Sequence, residues 1–336
     1  YVIFAQHFVM IKIGLIKEGK FPPDNRVALT PAQCKWLAKN IPNIDILVQK
    51  SVNRCYKDVE YERAGIEVRE DLRDCDVLLG IKEVLKEDLI PDKTYLFFSH
   101  TLKKQPYNRN LLQDILKKRI SLIDYEALKD RHGNRLVAFG RYAGIVGSYN
   151  ALLTYGKRFD LFYIRRAYEC YDVNDLKREL RKVKLPPIKI ILTGAGRLAR
   201  GSMETLDSAG IRKVGVREFL QTSFDEPVYV QLSSADYHQK KDSGHFNRDE
   251  FHKYPDRYVS RFTDFARVGD MLIAGTYWNP KAPLLFTRHE MQSGEFKIRV
   301  IADITCDING SIPSTKKAST IVDPFYDFDP MTDAVK

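Results

Sequence analysis

The sequence predicts an α/β protein built on buried parallel sheets. In the first half, strand-like runs alternate with helix-like segments, as in an α/β layer. The runs are continuously apolar, which is typical of parallel strands covered on both faces. Within residues 189–203, an apolar run is followed by two glycines and a helix-like segment. In a chain of 336 residues, these patterns predict two Rossmann-like domains with parallel sheets flanking a central cleft.

The first half is expected to alternate strands and helices in a regular order. Thr30 followed by Pro31 is typical of a helix N-cap with proline at the first helical position. The predicted strands are Lys12–Ile16, Ile44–Val48, Val77–Ile81, Thr94–Phe98 and Ser121–Asp124. The predicted helices are Ala32–Lys39, Tyr56–Ala64 and Leu111–Lys118.

The second half is expected to open on a helix with small residues at helical spacing and to continue as a dinucleotide-type unit. Residues 233–257 are unusually polar and are expected to form an insertion or a long loop. The predicted helices are Arg141–Tyr155 and Asp172–Val183. The predicted strands are a run starting at Ile188, a short run Val214–Val216, and the runs Asp270–Ala274 and Ile298–Ala302.

These elements predict three parts: residues 10–140, residues 141–310, and a segment 311–336 that returns toward the first domain and is expected to be incomplete. Residues 1–9 are expected to be an extension upstream of a start at Met10, with a degenerate signal peptide as the alternative.

Composition excludes some classes of protein. No apolar run approaches the roughly 20 residues of a membrane span, so no membrane association is expected. The formal net charge is +10, but basic and acidic residues are interleaved, so we expect no nucleic-acid partner. A positive field is better suited to steering small anionic ligands.

The cysteines indicate a reducing compartment. All five, Cys34, Cys55, Cys75, Cys170 and Cys306, are scattered and form no C-x-x-C pair. We therefore expect a cytoplasmic protein with reduced thiols and no metal site.

The glycine segment predicts a dinucleotide site. Gly194, Gly196 and Ala199 match the G-x-G-x-x-A form of the fingerprint, in which a pyrophosphate lies at a helix N-terminus. The alternative is a glycine turn in some other α/β unit. Arg197 and Arg200 add positive charge near the turn.

The residue that meets the adenine ribose is expected about 20 residues after the glycines. Arg217 follows the predicted strand Val214–Val216, and a guanidinium suits a 2′-phosphate. This favours NADP(H), with NAD(H) the alternative if Glu218 binds the ribose hydroxyl instead.

Polar residues just after predicted strands are candidates for catalysis, because ligands of parallel sheets bind beyond the carboxyl ends of the strands. An amine, an imidazole, acids and a guanidinium occur there, namely Lys82, His100, Asp124, Glu126 and Arg26. Taken singly, each also fits an ordinary solvated residue. Asp303 and Asp307 are placed to face a nicotinamide or to form Asx turns.

Several motifs give the chain a family resemblance. Residues 13–18, 25–31 and 80–83 resemble segments of the superfamily of alanine dehydrogenase, transhydrogenase and saccharopine dehydrogenase. More narrowly, the chain resembles the lysine-2-oxoglutarate reductase half of aminoadipate semialdehyde synthase. This narrower resemblance rests on segments 97–103, 122–126, 137–140, 258–262, 277–278 and 303–307.

The resemblance implies an NADPH-dependent condensation of lysine with 2-oxoglutarate to saccharopine, a reaction of lysine degradation. It makes residues 10–140 the substrate and catalytic domain and residues 141–310 the dinucleotide domain. The implied acid/base pair is Lys82 and His100, with Glu126 tuning the lysine. Arg26, and more weakly Lys103 and Arg135, are the implied carboxylate ligands. Gly194, Gly196, Arg197, Ala199, Arg217 and Asp307 are assigned to the cofactor.

Other functions stay open on the sequence. An NAD-dependent, lysine-forming saccharopine dehydrogenase is the first alternative, and an alanine dehydrogenase-like enzyme is the next. A non-catalytic dinucleotide-binding regulatory module is an alternative of another class. The oligomeric state is also open.

Overall fold

The computed structural model describes residues 9–21 and 23–336 and divides into two compact units. The first unit ends at Ala138, and the second runs from Phe139 to Lys336. The expected segment 311–336 therefore lies within the second unit. Of the expected N-terminal extension, residues 1–8 lie outside the described residues.

The first unit is a six-stranded parallel sheet with helices between its strands. The spatial order of the strands is β3-β2-β1-β4-β5-β6, and every pairing is parallel. Strands and helices are β1 (Ile11–Leu15), α1 (Pro31–Asn40), β2 (Ile44–Gln49), α2 (Asp58–Arg63), β3 (Glu67–Arg69), β4 (Val77–Leu79), β5 (Thr94–Phe97), α3 (Arg109–Lys117) and β6 (Ser121–Asp124). The predicted α/β class is confirmed, and only the short edge strand β3 was absent from the prediction.

Both faces of this sheet are buried, which explains its continuously apolar strands. On one face, Leu78 and Phe97 pack in a cluster with Leu111 and Ile115 of α3. A separate cluster on β1 and β2 holds Cys34 and Tyr61 from α1 and α2. Helix α1 begins with the expected cap, because the Thr30 side chain accepts a hydrogen bond from the Gln33 backbone N–H.

The second unit contains a five-stranded parallel sheet with the strand order β13-β12-β7-β9-β8. Its elements are α4 (Gly140–Arg158), α5 (Val173–Leu180), β7 (Lys189–Thr193), α6 (Arg197–Ser208), β8 (Arg212–Val214), α7 (Val216–Gln221), β9 (Val228–Leu232), α8 (Ser234–Tyr237), β10 (His238–Lys240), α9 (Arg248–Lys253), β11 (Tyr258–Ser260), α10 (Thr263–Ala266), β12 (Met271–Ala274), α11 (Arg288–Gln292), β13 (Val300–Asp303), β14 (Phe328–Asp329) and β15 (Ala334–Val335). In the part of the chain that the structure describes, no helix combines the length and apolar character that a bilayer crossing requires.

The structure differs from the element predictions of this unit at three places. The predicted strand Val214–Val216 ends at Val214, and helix α7 begins at Val216 after the N-cap Gly215. The strand Val228–Leu232 was missed, although it is buried and pairs directly with β7. The polar segment 233–257 is more than a loop, because it contains α8, α9 and the β10 strand of a two-stranded antiparallel sheet.

Glycines set the close approach of α4 and α6. A Cβ on Gly201 would lie 1.9 Å from the Arg141 carbonyl oxygen, and one on Gly144 would lie 2.0 Å from the Leu198 carbonyl oxygen. No real Cβ tolerates such a distance to a backbone atom. Only glycine at these two positions therefore permits this helix packing, as the small residues of the α4 segment indicated.

Substitution of Gly201 by alanine is expected to destabilise the second unit. The new Cβ must push α4 and α6 apart, and overpacking of this kind costs about 1–3 kcal/mol of unfolding free energy. Urea unfolding followed by circular dichroism measures the loss. Gly294→Ala is the matched control, because a Cβ there meets open space. An unchanged urea midpoint for Gly201→Ala would contradict the close packing of α4 against α6 at this position.

Candidate active site

The polar residues of the first unit gather at the carboxyl edge of its sheet. Strands β1, β4, β5 and β6 are neighbours and parallel, so their carboxyl ends meet at one edge. Directly beyond these ends the chain places Glu18 after β1, Lys82 after β4, His100 after β5 and Glu126 after β6. The sheet thus brings three of the predicted site residues, Lys82, His100 and Glu126, to the same edge.

The Glu18 carboxylate fixes the loop that carries Lys82. It accepts hydrogen bonds from the backbone N–H of Ile81 at 2.6 Å and of Lys82 at 2.9 Å. Burial raises the pKa of Glu18, although both N–H donors act in the opposite direction. Lys82 itself is half-buried. The backbone position of Lys82 therefore depends on a carboxylate from the loop after the neighbouring strand β1.

His100 is held by Glu83, the residue after Lys82. The Nδ1 atom of His100 lies 2.6 Å from Oε1 of Glu83, and Nζ of Lys20 lies 2.7 Å from Oε2. Burial opposes ionisation of Glu83, but these two partners outweigh it and lower its pKa to about 2. Because the carboxylate accepts, Nδ1 of His100 donates, and Nε2 is left to exchange a proton with a ligand.

A second buried network lies beside His100. The Ser99 hydroxyl donates to Oδ2 of Asp124, and Oδ1 of Asp124 accepts the Glu126 backbone N–H at 2.8 Å. Ser99 is fully buried and Asp124 nearly so. His100 has a left-handed backbone conformation with φ of 53°, which turns the chain sharply after Ser99. Ser99 and Asp124 thus connect the loops after β5 and β6.

The predicted carboxylate ligands already contact acidic residues. Lys103 Nζ and Arg135 Nη1 lie 3.3 and 3.5 Å from Oε1 of Glu126. Arg26 donates to both oxygens of Asp24, from Nε at 2.9 Å to Oδ1 and from Nη2 at 2.5 Å to Oδ2. The contacts of Glu126 are therefore to Lys103 and Arg135, and its expected influence on Lys82 stays a prediction.

The glycine turn of the second unit fits a dinucleotide pyrophosphate. Gly194 has a φ of +109°, which L side chains rarely adopt, and space beside Gly196 is open. Helix α6 starts at the next residue, so its N-terminal N–H groups and partial positive charge face this open turn. Ala199 is buried inside the unit, as expected for the third fingerprint position.

The remaining predicted cofactor residues lie at different places in this unit. Arg197 is the exposed first residue of α6. Arg217 lies in the first turn of α7, and its Nε donates to Gln221 at 3.1 Å. Asp307 is exposed in a tight turn after β13, where its carbonyl accepts the Gly310 N–H. Asp303 forms the Asx turn that was its alternative, through Oδ1 and the Thr305 N–H at 3.1 Å.

A family profile matches most of the first unit. The profile of the family described as alanine dehydrogenase/PNT, N-terminal domain, matches residues 14–146. Glu18, Lys82 and His100 all fall inside the matched residues.

Relatives and solved structures extend the likeness across the chain. The mitochondrial alpha-aminoadipic semialdehyde synthase of Mus musculus is 33% identical over 91% of this chain, which spans 37% of that protein's length. The NAD(+), L-lysine-forming saccharopine dehydrogenase of Schizosaccharomyces pombe is 26% identical over 87% of this chain and 75% of its own length. An L-alanine dehydrogenase structure has the same fold at a TM-score of 0.55 and 16% identity, covering 90% of this chain and 76% of its own. These relatives are oxidoreductases, as predicted.

Sequence reasoning assigned no role to two central carboxylates. Glu83 and Glu18 were noticed only as parts of the family motifs, yet Glu83 pairs with His100 and Glu18 holds the Lys82 loop. Their position just past the end of a strand could have marked them as site residues, because ligands of parallel sheets bind there. Among residues 9–21 and 23–336, no group of three His, Cys, Asp or Glu side chains is placed to hold a metal ion.

Glu83→Gln is expected to make the free energy of unfolding depend less on pH in the acidic range. The folded-state pKa of Glu83 is depressed from 4.5 to about 2, so its stabilising contribution is complete above 4.5 and is lost as pH falls toward 2. The variant should be less stable than the native protein at pH 7, and the difference should shrink below pH 4.5. Urea unfolding at several pH values measures this. The exposed Glu87→Gln serves as the control, and a pH-independent difference for Glu83→Gln would contradict the ion pairing.

Proposed function

We propose that the chain catalyses the NADPH-dependent reductive condensation of L-lysine and 2-oxoglutarate to saccharopine. The observation that carries the proposal is the Glu83–His100 pair at 2.6 Å, adjacent in sequence to Lys82. A glycine turn suited to a dinucleotide supports it from the second unit. The family match and the 33% identity to the mouse synthase support the substrate class.

The proposed chemistry requires proton transfers at nitrogen and oxygen. The lysine ε-amine must lose a proton before its nitrogen attacks the keto carbon of 2-oxoglutarate. The resulting carbinolamine hydroxyl must then gain a proton and leave as water, which forms the C=N bond. Nε2 of His100 is suited to these transfers because Nδ1 is held by Glu83. Lys82 is the second acid/base group, on a backbone that Glu18 holds.

The substrates carry several carboxylates, and the site supplies cations for them. Arg26, Lys103 and Arg135 are proposed to bind these groups. A substrate carboxylate would share Arg26 with Asp24 and would compete with Glu126 for Lys103 and Arg135. Such sharing keeps the cations oriented before the substrate arrives.

NADPH, when bound, supplies the hydride that reduces the C=N bond. The residues proposed to hold it are Gly194, Gly196, Arg197, Ala199, Arg217 and Asp307, and they lie at or near the ends of β7, β8 and β13. The five free cysteines support a cytoplasmic location as part of this proposal.

A cofactor oxidation assay tests the proposal directly. Loss of NADPH absorbance is expected only when lysine and 2-oxoglutarate are both present. NADH measures cofactor preference, and pyruvate with ammonia tests the alanine dehydrogenase alternative. NADPH oxidation that does not need lysine would contradict the proposed reaction. Cofactor binding without turnover would favour a regulatory module.

Removal of the acid/base groups is expected to slow the reaction. His100→Gln and Lys82→Met should each lower kcat by about 10² to 10⁴, since this is the usual contribution of positioned acid/base groups. The exposed residues His132 and Lys117 provide the controls His132→Gln and Lys117→Met. Native rates for His100→Gln would remove His100 from the mechanism.

A further inference from the structure

The strand order of the second unit changes which residues lie beside the glycine turn. Strand β9 pairs with β7 over five residues, and β8 pairs only with the far side of β9. In dinucleotide-binding units, the adenine ribose is read at the end of the strand next to the first one. Here that place belongs to β9, although β8 comes first in the chain. Arg217 follows β8 and so lies one strand further from the turn than its sequence position indicated.

Two side-chain contacts connect β8 and β9 to the glycine turn. Nε2 of Gln231, on β9, donates to the Gly194 carbonyl oxygen at 3.0 Å. Nζ of Lys213, on β8, donates to Oε1 of the same Gln231 at 2.7 Å. One neutral side chain therefore bridges the ammonium group of Lys213 and the backbone of the turn.

These contacts lie on the face of the sheet that α6 covers. Tyr229, two residues before Gln231, donates its hydroxyl to Asp207 of α6 at 2.8 Å. Lys213 Nζ also lies 3.6 Å from the Met203 sulfur of α6. Because alternate residues of a strand share one face, Gln231 and Lys213 are on the side where a helix N-terminus meets the glycine turn.

An open groove of about 660 Å³ runs along this side of α6. Lys213 and Arg200, from the first turn of α6, both line it. Neither has an acidic partner among residues 9–21 and 23–336. Two carboxylates also line the groove: Glu204 is paired with Arg141 and Lys177 at 2.8 and 2.9 Å, and Asp207 accepts the Tyr229 hydroxyl at 2.8 Å. Two cations without acidic partners thus face the groove near the turn.

We infer that Lys213 and Arg200, rather than Arg217, hold the 2′-phosphate of NADPH, with Gln231 positioning Lys213. The inference rests on the proposed dinucleotide function and names the residues that set its cofactor preference. A phosphate dianion forms charge-assisted hydrogen bonds with an ammonium and a guanidinium. NAD-dependent units place an acidic residue at the ribose, which would repel the phosphate, whereas Gln231 is neutral.

Equilibrium titration of the full chain with NADPH and with NADH tests the inference by binding alone. The double variant K213Q/R200Q should weaken NADPH binding at least tenfold for each lost cation, about 100-fold together, because hydrogen bonds to charged groups are strong. NADH binding should stay within about twofold, which also reports an intact fold. Gln231→Glu should shift the preference toward NADH, since it places a carboxylate beside the turn.

Two matched variants separate the outcomes. Arg212→Gln removes a cation from the same strand that is paired with Glu226 at 2.6 Å, and it should leave both affinities unchanged. If Arg217→Gln alone abolishes the preference for NADPH, or if K213Q/R200Q keeps it, the inference is wrong. Equal native affinity for both dinucleotides also overturns it but leaves the proposed function standing. If neither dinucleotide binds the native chain, the proposed function fails with it.

Discussion

The candidate site depends on one carboxylate that holds the loop after β4. Glu18 follows β1 and accepts two backbone N–H groups from Ile81 and Lys82 of the neighbouring strand end. Without these bonds, two partly buried N–H groups would lose their partners, which costs free energy of folding. The loop direction they impose places Lys82 and Glu83 at the carboxyl edge of the sheet. The Glu83–His100 pair is built on that loop.

Glu83 in turn fixes the position of the His100 imidazole. Glu83 is buried, yet the Lys20 ammonium at one oxygen and the Nδ1–H of His100 at the other keep it ionised. A carboxylate held in this way fixes both the orientation and the tautomer of an imidazole. Ser99 and Asp124 hold the backbone on the other side of His100. The ring is therefore positioned before any ligand binds, which lowers the reorganisation that a reaction requires.

Sequence patterns predicted most of the first unit because its strands are clearly separated apolar runs. Each continuous apolar run became a parallel strand, and the polar residues after these runs met at one edge. The second unit was harder because strand order is a tertiary property. The chain meets β8 before β9, but β9 pairs with β7, so counting residues from the glycines cannot show which strand lies beside β7. The carboxylate partners were missed for a similar reason: Glu18 and Lys82 are 64 residues apart and meet only through sheet pairing.

The most direct test of this account is the tautomer of His100 at neutral pH, measured by ¹⁵N–¹H correlation spectroscopy on histidine-labelled protein. His100→Gln assigns its signals. The account predicts a proton on Nδ1 whose signal is shifted downfield by the Glu83 carboxylate. The Glu83→Gln variant should lose the downfield signal. A neutral ring that carries its proton on Nε2, or signals unaffected by Glu83→Gln, would contradict the proposed arrangement of the site.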